Sequence, residues 1–258
     1  SVQGTSTRIQ FTPDLLPSDV TGVTIYDQQN HKFEFHKGPV FSSIVLADEI
    51  NRASPKTQSA LLEVMEESRV TVDGVPHEVG RPFLVIATQN PIEQAGTYKL
   101  PEAQLDRFMI KTSIGYPSLA VAERILAGDV DRNPSGKLSP VITTKAVADM
   151  ADLAATVHVD PAVARYAAQL VEATRESDAT KLGVSVRGAI SMMRIARVVA
   201  ASQGRHYVIP DDVKALAAPV WTHRLVLDPE AEFSGTTSES VIERALGQVE
   251  APLARASA

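Results

Sequence analysis

The stretch Ser43-Ile44-Val45-Leu46-Ala47-Asp48-Glu49-Ile50-Asn51-Arg52 constrains this chain more than any other part of it. Four apolar residues in a row read as a short buried strand, and two carboxylates stand at its carboxyl end. In an open α/β sheet, that end of the strands faces the crevice where ligands bind. An acid there can hold a hydrated Mg²⁺, and a second acid can orient or deprotonate a water. Both are parts that hydrolysis of a nucleoside triphosphate requires, and Asp48-Glu49 has the pattern of a Walker B motif. The plain alternative is a strand whose terminal acids simply favour the amino end of the following helix.

The phosphate-cradling loop that usually accompanies this motif is missing. The pattern G-x-x-x-x-G-K-[ST] occurs nowhere in the 258 residues; Gly136-Lys137 comes nearest, but position 131 is Asp and position 138 is Leu. The rest of the composition excludes several classes. A net charge of −6 does not favour nucleic acid as a partner. With no cysteine, disulfides, thiolate metal sites and a cysteine nucleophile are ruled out. His36, His77, His158, His206 and His223 are scattered without metal-ligand spacing. No apolar run approaches the roughly 20 residues of a membrane span, and the polar start, Ser1 to Gln10, carries no secretory signal. A cytoplasmic protein is the expectation. The chain opens on serine, as a processed, trimmed or truncated product would.

Along the chain, Arg8 to Phe11 read as a strand. Val23 to Tyr26 and Lys32 to Phe35 read as a hairpin around the polar tip Asp27 to His31. Ser54 caps a helix with Pro55 in its first position and Ala60, Leu61, Val64 and Met65 on one face. Asp73-Gly74 marks a second hairpin between Arg69 and Val79. Phe83 to Ala87 form a second buried strand that leads into Thr88-Gln89-Asn90-Pro91 and a glycine-bearing loop. Pro101 to Phe108 form a short helix, and Met109 to Ile114 a strand. After Gly115-Tyr116-Pro117 the patterns turn helical, over 118–128, 143–156, 161–176, 186–202, 210–221 and 238–248. The expected organisation is therefore an α/β part, 1–116, followed by an all-helical part, 117–258.

Three further residues carry possible chemistry, each with a plainer alternative. Asn90 could hold an attacking water or a γ-phosphate, or could merely make an Asn-Pro turn. Arg107 offers a planar fork to phosphate oxygens, or is one half of a surface Asp–Arg pair. Arg187 falls in the first turn of a long helix, where the helix dipole disfavours a cation; an anion nearby would explain it, although plain solvent exposure also would.

Singly these signals are weak, but their order is specific. Asp-Glu, a helix, a hairpin, Thr-Gln-Asn-Pro, Leu-Asp-Arg-Phe and an arginine opening a late helix together resemble the MoxR family of AAA+ ATPases. The stretch from Arg8 to Gly22, and Asp48-Glu49-Ile50-Asn51-Arg52-Ala53 followed by Pro55-Lys56-Thr57-Gln58, carry the resemblance most strongly, and it extends from residue 8 to about 250.

The resemblance implies a P-loop-type parallel sheet with a helical lid. It implies that Asp48 binds Mg²⁺, Glu49 is the catalytic base, Asn90 is sensor 1, Arg107 is an arginine finger given to a neighbour and Arg187 is sensor 2. The hairpin at 23–35 resembles the helix-2 insert of this clade, and the one at 69–80 its pre-sensor-1 hairpin. The implied cofactors are ATP and Mg²⁺. The implied partners are further copies of the chain in a ring, expected to be hexameric, a protein with a von Willebrand factor A domain, and client proteins that are remodelled or matured. The family's first strand and Walker A loop are expected upstream of Ser1, the strand lying inside the sheet between its fourth and fifth strands. These 258 residues alone are therefore expected to bind ATP poorly. A non-catalytic scaffold of the same shape and a magnesium-chelatase-like subunit share the motifs. A DNA motor of the clade is disfavoured by the nearly uncharged hairpin tips, Gln28 to His31 and Asp73-Gly74.

Overall fold

The computed structural model describes residues 2–90, 97–129 and 138–252. Gly136-Lys137 and most of the loop expected after Asn90 lie outside the described residues. The first part contains β1 (Val2–Gln3), β2 (Ser6–Gln10), α1 (Pro17–Thr21), β3 (Gly22–Asp27), β4 (Lys32–Lys37), β5 (Ile44–Asp48), α2 (Pro55–Glu67), β6 (Arg69–Val72), β7 (Val75–Glu78), β8 (Leu84–Ala87) and α3 (Glu102–Leu105). The second contains α4 (Leu119–Leu126), β9 (Ile142–Thr143), α5 (Thr144–Ala155), α6 (Pro161–Arg175), β10 (Thr180–Leu182), α7 (Val186–Ser202), α8 (Pro210–Trp221), β11 (Val226–Leu227), α9 (Pro229–Phe233) and α10 (Ser238–Gln248).

Strands β2, β5 and β8 form a parallel sheet in that order, with Gln10 opposite Asp48 and Ala47 opposite Ala87. The sheet is buried mainly on one side. Val45 and Ala47 are fully covered, with Ile9, Phe11, Val20, Leu61 and Leu62 in the same core cluster, whereas Ile44 and Leu46 are only partly covered. The apolar run of β5 therefore alternates in burial rather than being buried throughout.

Helix α2 follows the sequence cues closely. The Ser54 hydroxyl accepts from the Thr57 amide (3.4 Å), Pro55 takes the first position, and the chain leaves the helix through Ser68 in the left-handed region (φ 55°). Its buried residues include two polar ones. Thr57 donates its hydroxyl to the Leu15 carbonyl (2.6 Å), and Gln58 donates to the Ala53 carbonyl (3.0 Å). These contacts pin the helix to the preceding loops.

Both expected hairpins form. At the base of β3–β4 the backbone of Gly38, just after β4, lies close against that of Gly22. A Cβ on Gly38 would stand 2.4 Å from the Gly22 nitrogen, so no side chain fits there. In β6–β7 both turn residues, Asp73 and Gly74, have positive φ (50° and 78°), as a two-residue turn of the right twist requires. The Phe35 ring lies 4.1 Å from that of His77 and joins the two hairpins.

The second part packs α6, α7, α8 and α10 around Trp221, Tyr166, Leu170 and Met192 in a separate apolar cluster. The Trp221 indole donates to the Gly188 carbonyl (3.1 Å), which locks α8 against the start of α7. Three short strands also occur here, where the sequence showed hardly any: β10 pairs with β11, and β9 runs parallel to β1, joining the amino end of the chain to the helical part. The strand expected over Met109–Ile114 does not form. No described strand lies alongside it; Met109, Ile110 and Ile114 are exposed, and the Lys111 amide donates instead to the Pro219 carbonyl (2.9 Å). Among the described residues no helix is long and apolar enough to cross a membrane.

Candidate functional site

The site residues fall into two clusters. The first is at the carboxyl end of the sheet. Because β2 and β8 flank β5 in parallel register, their ends bring Arg8, Gln10 and Thr88 to Asp48 and Glu49. The Thr88 hydroxyl donates to one Asp48 oxygen, and the Arg8 guanidinium forms an ion pair with the other. The Thr88 hydrogen bond first, and then Arg8, hold the Asp48 carboxyl below its ordinary range, so it is ionised at neutral pH. Glu49 lies in the left-handed region (φ 53°, ψ 49°), which is uncommon for this residue type. Its amide donates to the Thr88 hydroxyl (2.9 Å), and the next amide, Ile50, donates to the Thr88 carbonyl (3.0 Å). The Glu49 carboxylate accepts from Gln10 (3.0 Å) and from Arg52 (2.9 Å). The two acids are thus turned apart: Asp48 faces Thr88 and Arg8, while Glu49 faces Gln10 and Arg52. Asn90 stands just beyond the end of β8, and its carbonyl accepts from the Asn51 side chain (3.5 Å).

The second cluster lies at the other end of α2. Glu66, in the last turn of that helix, accepts from both Arg107 (3.0 Å) and Arg187. The anion that the position of Arg187 called for is therefore Glu66. At 1.5 Å per residue, Glu66 lies about 16 Å along the axis from Pro55. Among the described residues no hydrogen bond or ion pair joins either arginine to Asp48 or Glu49.

The helical part fixes the backbone around both arginines. Asp106 accepts from the Ser185 hydroxyl (3.0 and 2.9 Å) and pairs with the buried Arg224. Arg224 also donates to the carbonyls of Asp106 and Phe108, the latter at 2.7 Å, and His223 Nε2 lies 2.9 Å from the same Phe108 oxygen. Ser185 in turn accepts from the Gly188 amide (3.0 Å) and so caps α7, the helix that carries Arg187.

Two family models match this chain: the ATPase family associated with various cellular activities (AAA) over residues 1–110, and the AAA lid domain over residues 172–245. Chaperone MoxR1 of Mycobacterium tuberculosis is 42% identical over 260 residues, which cover 97% of this chain and 68% of that protein. The chain belongs to the MoxR family of AAA+ ATPases. An uncharacterized Bacillus subtilis protein, YeaC, is 47% identical over 250 residues, 97% of this chain and 78% of that one. Protein MoxR of Paracoccus denitrificans is 32% identical over 87% of this chain and 73% of its own length. A crystal structure of a candidate ATPase from Cytophaga hutchinsonii superposes with a TM-score of 0.88 at 39% identity, covering 97% of this chain and 79% of the other.

Membership of the MoxR family implies nucleotide and Mg²⁺, and the acid cluster fits the metal. Among the described residues no group of three or more His, Cys, Asp or Glu could form an all-protein cage. A single ionised carboxylate, Asp48, suits a Mg²⁺ ion that keeps its waters and shares phosphate oxygens. Three residues of this cluster, Arg8, Gln10 and Thr88, escape sequence reasoning about chemistry. The available signal was positional: Thr88 directly follows β8, whose residues are exposed or half-buried where the sequence suggested a buried strand, and Arg8 and Gln10 alternate around buried Ile9 on β2, across β5.

Proposed function

We propose that the protein hydrolyses ATP with Mg²⁺ at the interfaces of a ring of identical subunits. The cycle would be used to remodel or mature protein partners, in the manner that the name chaperone MoxR1 gives to its relative. The observation that carries this reading is that both arginines pair with Glu66 in the last turn of α2, and that among the described residues no hydrogen bond or ion pair joins them to the acids at the end of β5. Clusters held apart in this way within one subunit would serve two different nucleotides. Asp48 and Glu49 would act on the subunit's own nucleotide, and Arg107 and Arg187 on the one held by a neighbour.

In this reading Asp48 holds the metal, which when bound neutralises charge on the phosphate oxygens. Glu49 takes the proton of the attacking water once its carboxylate leaves Gln10 and Arg52. Asn90 helps to place that water or the γ-phosphate. Arg107 and Arg187 offer guanidinium donors to the γ-phosphate oxygens of the adjoining subunit, where charge builds up in the transition state. The resemblance favours a hexamer and a partner bearing a von Willebrand factor A domain; the net charge of −6 and the nearly uncharged hairpin tips argue against nucleic acid, and a cytoplasmic location is the default for such a chain.

The test is ATP turnover by the full-length protein beside its Glu49→Gln and Arg107→Ala variants. Each substitution is expected to lower kcat by at least about a hundredfold. The rate per subunit should also rise with protein concentration as rings form. Equal rates in Glu49→Gln and the parent would remove Glu49 from the mechanism. Full activity in Arg107→Ala, or a rate per subunit independent of concentration, would sink the shared site.

A further inference from the structure

We propose that Glu66 is the positioning residue of the arginine pair: one carboxylate aligns Arg107 and Arg187 so that both present their remaining donors to a phosphate from the next subunit. The inference rests on the shared-site reading above and adds a residue to it. Glu66 sits in the last turn of α2, the end at which the helix dipole disfavours an acid. Two guanidiniums, one from the segment after α3 and one from the first turn of α7, close on its two oxygens. Each of these ion pairs uses a single terminal nitrogen of its arginine. A guanidinium carries five N–H donors in a fixed fork, so each keeps others for an incoming anion. Both side chains remain partly exposed, 28% for Arg107 and 43% for Arg187, so a phosphate can reach them.

The backbones of the two arginines are already tied together through Asp106, Ser185 and Arg224. What is left free is the long side chains, which carry like charges and repel each other when brought to one phosphate. Glu66 removes that repulsion and fixes where the two heads meet. The platform itself is held still, because Thr57 and Gln58 anchor α2 to its surroundings.

Glu66→Gln keeps the size of the side chain and removes its charge. In the full-length protein we expect kcat for ATP to fall at least about tenfold, with KM within about twofold, because aligned arginines matter most in the transition state. The melting temperature should stay within a degree or so of the parent's, since the pairs are at the surface. Mixed rings locate the defect. Glu66→Gln subunits have intact acids and misaligned arginines, while Glu49→Gln subunits have the reverse. Rings reconstituted from equal amounts of the two should regain turnover, whereas Glu66→Gln mixed with Arg107→Ala should not. Parental kcat in Glu66→Gln, in a protein that Arg107→Ala inactivates, would overturn the role of Glu66 alone. So would a Glu66→Gln and Glu49→Gln mixture no faster than either parent variant. A parent protein without ATP turnover, or an active Arg107→Ala, would overturn the shared-site reading and this inference with it.

Discussion

Glu49 occupies a left-handed backbone conformation that costs on the order of 1–3 kcal/mol for a residue of its kind. The conformation persists because Thr88 over-determines it: the Thr88 hydroxyl accepts the Glu49 amide and the Thr88 carbonyl accepts the Ile50 amide. The same hydroxyl donates to Asp48, so one side chain sets both the turn of Glu49 and the ionisation of Asp48. Thr88→Val keeps the shape and removes the hydroxyl. It should destabilise the protein by about 1–3 kcal/mol, through the amide left without a partner, and lower ATP turnover more than that loss of stability explains. Denaturant midpoints at constant slope and kcat measured on the same samples check this, and a Thr88→Val protein matching the parent in both would refute it. At this scale Asp48 and Glu49 were legible because they adjoin each other in the chain and end an apolar run. Thr88, Arg8 and Gln10 were not, because only strand register sets them beside the acids.

Elements were the most legible level. Ser54, Asp160, Ser185 and Thr237 cap their helices with side-chain oxygens, and prolines open α1, α2, α6, α8 and α9. Short-range hydrogen bonds of this kind are written in adjacent residues, so the helical segments read from the sequence match the structure within a residue or two at most ends. Among the caps, Ser185 does more than end a helix, since it also donates to Asp106. Ser185→Ala should lose about 1–2 kcal/mol, and Ser185→Thr, which can still cap, should recover most of it. Chemical denaturation of the three proteins decides; equal stability of Ser185→Ala and the parent would show that neither bond matters. Met109–Ile114 shows the limit of reading elements locally. A strand needs a neighbour to exchange hydrogen bonds with, and the apolar content of a segment does not say whether one is beside it.

The whole molecule is held together where the helical part grips Asp106 and Phe108, the residues on either side of Arg107. His223 is half of that grip. Burial pushes its pKa below the ordinary 6.5, opposed by the Phe108 carbonyl; the Arg224 and Lys111 charges add to the lowering and Asp106 to the opposition. A depressed histidine is neutral in the fold and protonates more readily when unfolded. Stability is therefore unaffected well above pH 6.5, falls as pH drops through that value, and levels off below the folded pKa. The melting temperature should fall between pH 7.5 and 5.5, and it should fall less in His223→Gln, whose amide can still donate to the Phe108 carbonyl. Parallel melting curves for the two proteins across that range would exclude His223 as the cause. By itself the sequence determined the family, the helices, both hairpins, and the acid pair at the end of a strand, because all of these are recorded in neighbouring residues and their periodicity. Only the tertiary structure decided that Arg107 and Arg187 share one carboxylate at the far end of α2, and that the helical part clamps both sides of Arg107. Those contacts join residues distant along the chain, and no local pattern encodes which distant side chains a packed fold will bring together.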